Sequence, residues 1–154
     1  MALFGTKTPM VRLAVAFLGS VALSAAVAAS GDGTLKITRT STLINPCNGE
    51  LVTGLVDVQL VVQTNENNNG THVVVHRSFH GTLEGDQGNT YKISSQASDQ
   101  LDALAGYYDL TFENNVIGLG RAPNFEVVGN VRVFVNTNQE PTGYGATATS
   151  ATCK

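Results

Sequence analysis

All three histidines of the chain stand in one stretch, Thr71 to Gly81, at intervals of four: His72, His76 and His80 in T-H-V-V-V-H-R-S-F-H-G. Imidazole titrates near neutral pH and ligates transition metals, so such a row suggests acid–base catalysis or a metal centre. The neighbouring residues narrow the choice. Val73-Val74-Val75 is the densest β-branched run in the chain, and β-branched side chains suit a pleated strand better than a helix. Positions four apart meet on a helix, but on a strand they lie roughly 13 Å apart. No single ion spans that distance, so no metal and no cofactor are expected. Acid–base chemistry would still need a carboxylate to orient one ring. Glu84, Asp109, Glu113 and Glu126 are the available partners. Arg121 and Arg132, with Tyr91, Tyr107 and Tyr108, would complete a pocket for an anionic or partly apolar molecule. The candidate ligand-binding residues are therefore His76, His80, Arg121 and Tyr91. The plainer alternative for each is a solvated strand face. Nucleophilic catalysis has no support, because no G-x-S-x-G occurs and no helix follows Gly118-Leu119-Gly120 to make a phosphate loop.

On a strand, His72, Val74, His76, Ser78 and His80 point one way and Val73, Val75, Arg77 and Phe79 the other. Two registers follow. With the valine–phenylalanine face in the core, the histidines face solvent and Arg77 is buried near one end or snorkels. With the histidine face inward, His76 and His80 become a polar row in a cavity. The first is preferred, because Val73, Val75 and Phe79 make the more apolar face.

The rest of the chain supplies the strands that must flank this one. Leu35-Lys36-Ile37-Thr38 alternates as an edge strand would, and Asn45 to Gly49 is a turn cluster. Leu55 to Thr64 places Val56, Val58, Leu60 and Val62 on one face. Asn65 to Gly70 reads as a hairpin loop, and His80 to Asn89 as a loop or a bent strand end. Thr90 to Gln96 puts Tyr91 and Ile93 on one side; Ser98 to Ala105 is the only stretch of helical composition. Tyr107 to Glu113 alternates Tyr108, Leu110 and Phe112 inward, with Val116 to Leu119 expected as its hairpin partner across Asn114-Asn115. Phe125 to Val135 is a long strand, and Tyr144 to Cys153 closes the series. These expectations define an all-β antiparallel meander of about eight strands. A small lipocalin-like barrel is favoured over a two-sheet sandwich.

Residues 1–29 read as a cleaved signal peptide. Lys7 and Arg12 precede an apolar run from Leu13 to Leu23, and Ala26-Val27-Ala28 fits a small-x-small cleavage pattern. Residues 30–154 then form a single domain. Loss of Lys7 and Arg12 leaves seven basic residues against twelve acidic ones, a net charge of −5. The basic residues are scattered, which argues against nucleic acid and, after cleavage, against a membrane as partner. In a secreted protein, whether extracellular or periplasmic, Cys47 and Cys153 read as a disulfide tying the first third of the domain to its last strand.

Asn45-Pro46-Cys47-Asn48-Gly49-Glu50, Val73-Val74-Val75-His76 through His80-Gly81, Ala122-Pro123-Asn124-Phe125 and the terminal Cys153 together resemble a group of small exported bacterial proteins. Those proteins carry N-P-C-x-G-E, V-V-H…H-G and A-P-N-F motifs and a final cysteine. The resemblance spans most of the mature chain and implies a secreted all-β module; it brings no activity with it. Three functions follow from the residues. The first is a non-enzymatic barrel holding a small hydrophobic or amphipathic ligand in its mouth. The second is a small cyclase- or isomerase-like enzyme using His76 and His80 with Arg121 or a tyrosine. The third is a structural or surface-interaction module with a filled core.

Overall fold

Alternating apolar residues become one antiparallel sheet, because each strand can bury only the face that repeats every second residue. The computed structural model describes residues 28–30, 33–67, 70–102 and 104–154. Apart from Ala28 and Ala29, the leader expected over residues 1–29 lies outside them. A short strand, β1 (Ala28–Ser30), precedes seven long ones: β2 (Thr34–Ile44), β3 (Leu51–Asn67), β4 (Gly70–Gly85), β5 (Thr90–Leu101), β6 (Tyr107–Gly118), β7 (Phe125–Val135) and β8 (Pro141–Cys153). Every strand pairs antiparallel with its sequence neighbours, in the spatial order β1 to β8. No helix occurs among the described residues.

The sheet curls into a barrel that is nearly closed. The first and last long strands, β2 and β8, face each other without a backbone ladder. Seven alternating strands bring them together running the same way, so the junction differs from every other in the sheet. Side chains hold it instead. The Arg39 guanidinium on β2 lies 5.0 Å from the centroid of the Tyr144 ring on β8, a cation–π contact. At one end the Cys47–Cys153 disulfide joins the chain just past β2 to the end of β8, with Cα atoms 5.3 Å apart.

The inward faces match the alternation. Val56, Val58, Leu60 and Val62 on β3 and Val73, Val75 and Phe79 on β4 are buried, and paired positions such as Val58 and Phe79 share one face. On β7 every inward residue from Phe125 to Val135 other than Gly129 is apolar and buried. Gly129 is small for a reason: a Cβ there would meet the Phe112 ring and the Thr147 carbonyl.

Three local expectations are corrected. Asn114-Asn115 does not turn the chain; β6 runs unbroken through it and pairs with β7 from Tyr107 to Val116. Asn114 is buried and accepts a hydrogen bond from Ser95 Oγ at 2.5 Å, so an inward amide is satisfied within the strand. Likewise β4 runs on to Gly85, and the turn is confined to the residues after it. The stretch Ser98–Ala105 is strand as far as Leu101. The ladder between β5 and β6 covers only Tyr91, Lys92 and Ile93.

Candidate ligand site in the barrel interior

The four nominated residues occupy three separate places. His76 and His80 are on the outer face of β4, where His76 Nδ1 lies 2.6 Å from Ser98 Oγ and His80 Nδ1 3.1 Å from Ser94 Oγ on β5. His72 Nδ1 is 3.1 Å from Asp102 Oδ1. Beside His76 runs a shallow groove of about 230 Å³, lined by Gln59, Ser78, Gln96 and Ser98 among others. Arg121 is exposed in the turn between β6 and β7. Tyr91 is fully buried at one end of the barrel. No group of three His, Cys, Asp or Glu side chains converges on one point among the described residues. His76 and His80 thus meet hydroxyls and His72 a carboxylate on the outer wall, and none is brought together with Arg121 or Tyr91. We expect His76→Ala and His80→Ala to change stability by less than about 0.5 kcal/mol each, as surface substitutions do. Urea midpoints would check this, and a loss of several kcal/mol would show the outer row to be structural.

The Tyr91 end is a plug. The turn Asn45–Glu50 folds back into the barrel mouth, with Asn45 and Glu50 both wholly buried. Asn45 Oδ1 accepts from the Cys47 N–H at 2.9 Å, an Asx turn, while Asn45 Nδ2 donates to Tyr91 Oη at 3.1 Å and to the Pro123 carbonyl at 3.2 Å. Tyr91 Oη donates to Glu50 Oε2 at 2.5 Å. The carboxylate also accepts from Asn89 Nδ2 at 2.9 Å, Asn48 Nδ2 at 3.1 Å and the Gln87 N–H at 3.1 Å. Burial pushes the Glu50 pKa up, but these donors outweigh it and hold it lowered to about 2. Burial, followed by the hydrogen bond to Glu50, raises the pKa of Tyr91. The N-P-C-x-G-E turn, the A-P-N-F turn and the final cysteine therefore meet at one end of the molecule. Sequence reasoning treated Asn45-to-Gly49 as a plain turn; an acid directly after it was the available signal.

The interior above the plug is amphipathic. Arg77 points inward from β4 and is 6% exposed, flanked on its strand by Val75 and Phe79 and across the ladder by Leu60 and Ala97. Its Nη2 forms an ion pair with Asp99 Oδ2 at 2.9 Å, while Nε, Nη1 and Asp99 Oδ2 itself have no hydrogen-bond partner. Burial lowers the Arg77 pKa and Asp99 offsets part of the drop. Asp99 was missed in the sequence, although it shares parity with Tyr91 and Ile93. Across the barrel the buried Tyr144 hydroxyl also lacks a partner, and burial raises its pKa against the opposing influence of Arg39. The free Arg77 and Tyr144 atoms are themselves out of solvent contact, but the wall around them thins where the ladders lapse. Ala97 faces inward opposite Arg77, Ala146 opposite Val131, and Arg39 opposite Val56, yet all three are exposed.

A buried ion pair stabilises little, and one stripped of its partner is costly. We expect Asp99→Ala to destabilise the fold by about 2 kcal/mol, less than for a fully enclosed pair because Asp99 is 32% exposed. Arg77→Met, which fills similar volume without charge, should be neutral or stabilising by about 1 kcal/mol. Chemical denaturation of both variants checks the order, and a larger loss from Arg77→Met than from Asp99→Ala would refute it.

No protein-family model matches the chain, and no curated sequence or solved structure matches it either.

Proposed function

We propose that the protein is an exported barrel that binds a small amphipathic molecule in its interior. One observation carries the reading: inward-facing positions on β2, β5 and β8 remain open to solvent between apolar walls. Interiors lined by apolar side chains with a few placed polar groups are the usual form of small-molecule sites, and barrels of this strand number hold at most one small ligand. Secretion accounts for the Cys47–Cys153 disulfide, since such bonds persist in oxidising compartments. It also agrees with the leader-like residues 1–29 and with the resemblance to small exported bacterial proteins. Catalysis by His76 and His80 is disfavoured by their position on the outer wall with serine partners.

The test is binding of N-phenyl-1-naphthylamine, a neutral dye that brightens in apolar surroundings, to the folded disulfide-bonded domain. Saturable one-to-one enhancement, weakened by Ala146→Phe at the seam, is expected. Absence of enhancement, or enhancement that does not saturate, would leave a filled structural module as the better description.

A further inference from the structure

We infer that the interior site selects amphiphiles with an anionic head, a carboxylate or phosphate, and that Arg77 is the residue that receives it; this rests on the interior-binding reading above. A guanidinium carries five N–H donors and prefers oxygen acceptors with negative charge. Arg77 uses one nitrogen on Asp99 and directs Nε and Nη1, both buried, at no acceptor. Buried donors without partners are rare in folded proteins, because each forfeits its hydrogen bonds to water. An anionic oxygen would satisfy these donors and add a charge-assisted bond.

The surroundings fit a head with an apolar tail. Val75 and Phe79 stand either side of Arg77 on β4, and the Phe79 ring lies 5.9 Å from that of Phe112. The exposed inward position Ala97 is directly opposite Arg77 on β5, beside the stretch where the β5–β6 ladder has ended. A head group reaching Arg77 therefore has a route that avoids the Glu50 plug. Asp99 is a built-in competitor for the same guanidinium. A neutral hydroxyl head offers Arg77 no charge and has no means of displacing Asp99.

The experiment is displacement of N-phenyl-1-naphthylamine from the disulfide-bonded domain by decanoate, decyl phosphate and decan-1-ol. These share a chain length and differ in head group. Wild type should prefer the anions over the alcohol by roughly tenfold or more, the scale of a charge-assisted hydrogen bond in a desolvated site. The comparison of decanoate with decyl phosphate identifies which anion the site takes. In Arg77→Met the preference should vanish, while Arg77→Lys, which keeps the charge, should retain part of it. Equal displacement by all three compounds in wild type overturns the head-group inference while the interior-binding reading stands. A preference that survives in Arg77→Met also overturns it. If the dye does not bind at all, the broader reading has failed.

Discussion

Gly85→Ala is expected to lower the melting temperature by roughly 10 °C, corresponding to about 3 kcal/mol at the upper end of overpacking costs. A Cβ at this position would run into the Glu50 carboxyl group. Glu50 has no room to yield, because Tyr91, Asn89, Asn48 and the Gln87 N–H hold both its oxygens. The methyl group must therefore break a hydrogen bond or push the Asn45–Glu50 turn out of the barrel mouth. Differential scanning calorimetry against wild type decides the matter, and a shift below about 2 °C would show the plug to be compliant.

The same site sets an acid limit. Because the Glu50 pKa in the fold is lowered to about 2 from an ordinary 4.5, the unfolded chain binds the proton more readily. The contribution of the ionised group is complete above pH 4.5 and is lost as the pH falls towards 2. Glu50→Gln should be less stable than wild type at pH 7, since an amide nitrogen then faces donors. It should also lose the steepest part of the decline between these two values. A stability–pH curve for Glu50→Gln parallel to that of wild type would exclude Glu50 as its source.

Removing the disulfide, by reduction or by Cys47→Ser with Cys153→Ser, should cost about 4–5 kcal/mol, or roughly 15 °C. The bond closes a loop with a sequence separation of 106, and loop-closure entropy in the unfolded chain scales with the logarithm of that length. Here it also does what no backbone ladder does, fastening β2 to β8. Cys47 packs against the core beside the plug, and its N–H is held by Asn45. The losses from the double serine variant and from Gly85→Ala should therefore not add, because both loosen one end of the barrel. A fall of less than about 1 kcal/mol on reduction would mean that the side-chain contacts of the seam suffice.

Much of this architecture was legible from alternation alone. Phe125 to Val135 is recognisable residue for residue, and the valine face of Thr71–Gly81 is inward as its apolarity requires. Parity also buries Arg77. What failed was punctuation. Asn114-Asn115 looks like a turn because asparagine tolerates turn geometry, but its partner Ser95 comes from another strand and turns Asn114 into a core residue. Glu50 was hidden for a similar reason. Of its four donors only Asn48 is local, while the Gln87 N–H, Asn89 and Tyr91 come from one segment 37 to 41 residues further on. The histidine row drew attention by composition, yet strand geometry placed it outside.

The odd number of long strands bears on the girth of the barrel. In a sealed barrel, strand number and hydrogen-bond stagger together fix the diameter, so the circumference takes only certain values. Here β2 and β8 share no register, and the Arg39–Tyr144 contact with one covalent link defines their separation. A ring contact tolerates sliding that a ladder does not. The circumference is thus pinned at the disulfide end, while at the Tyr144 end only a side-chain contact spans the junction, so a change of girth there would break no backbone hydrogen bond.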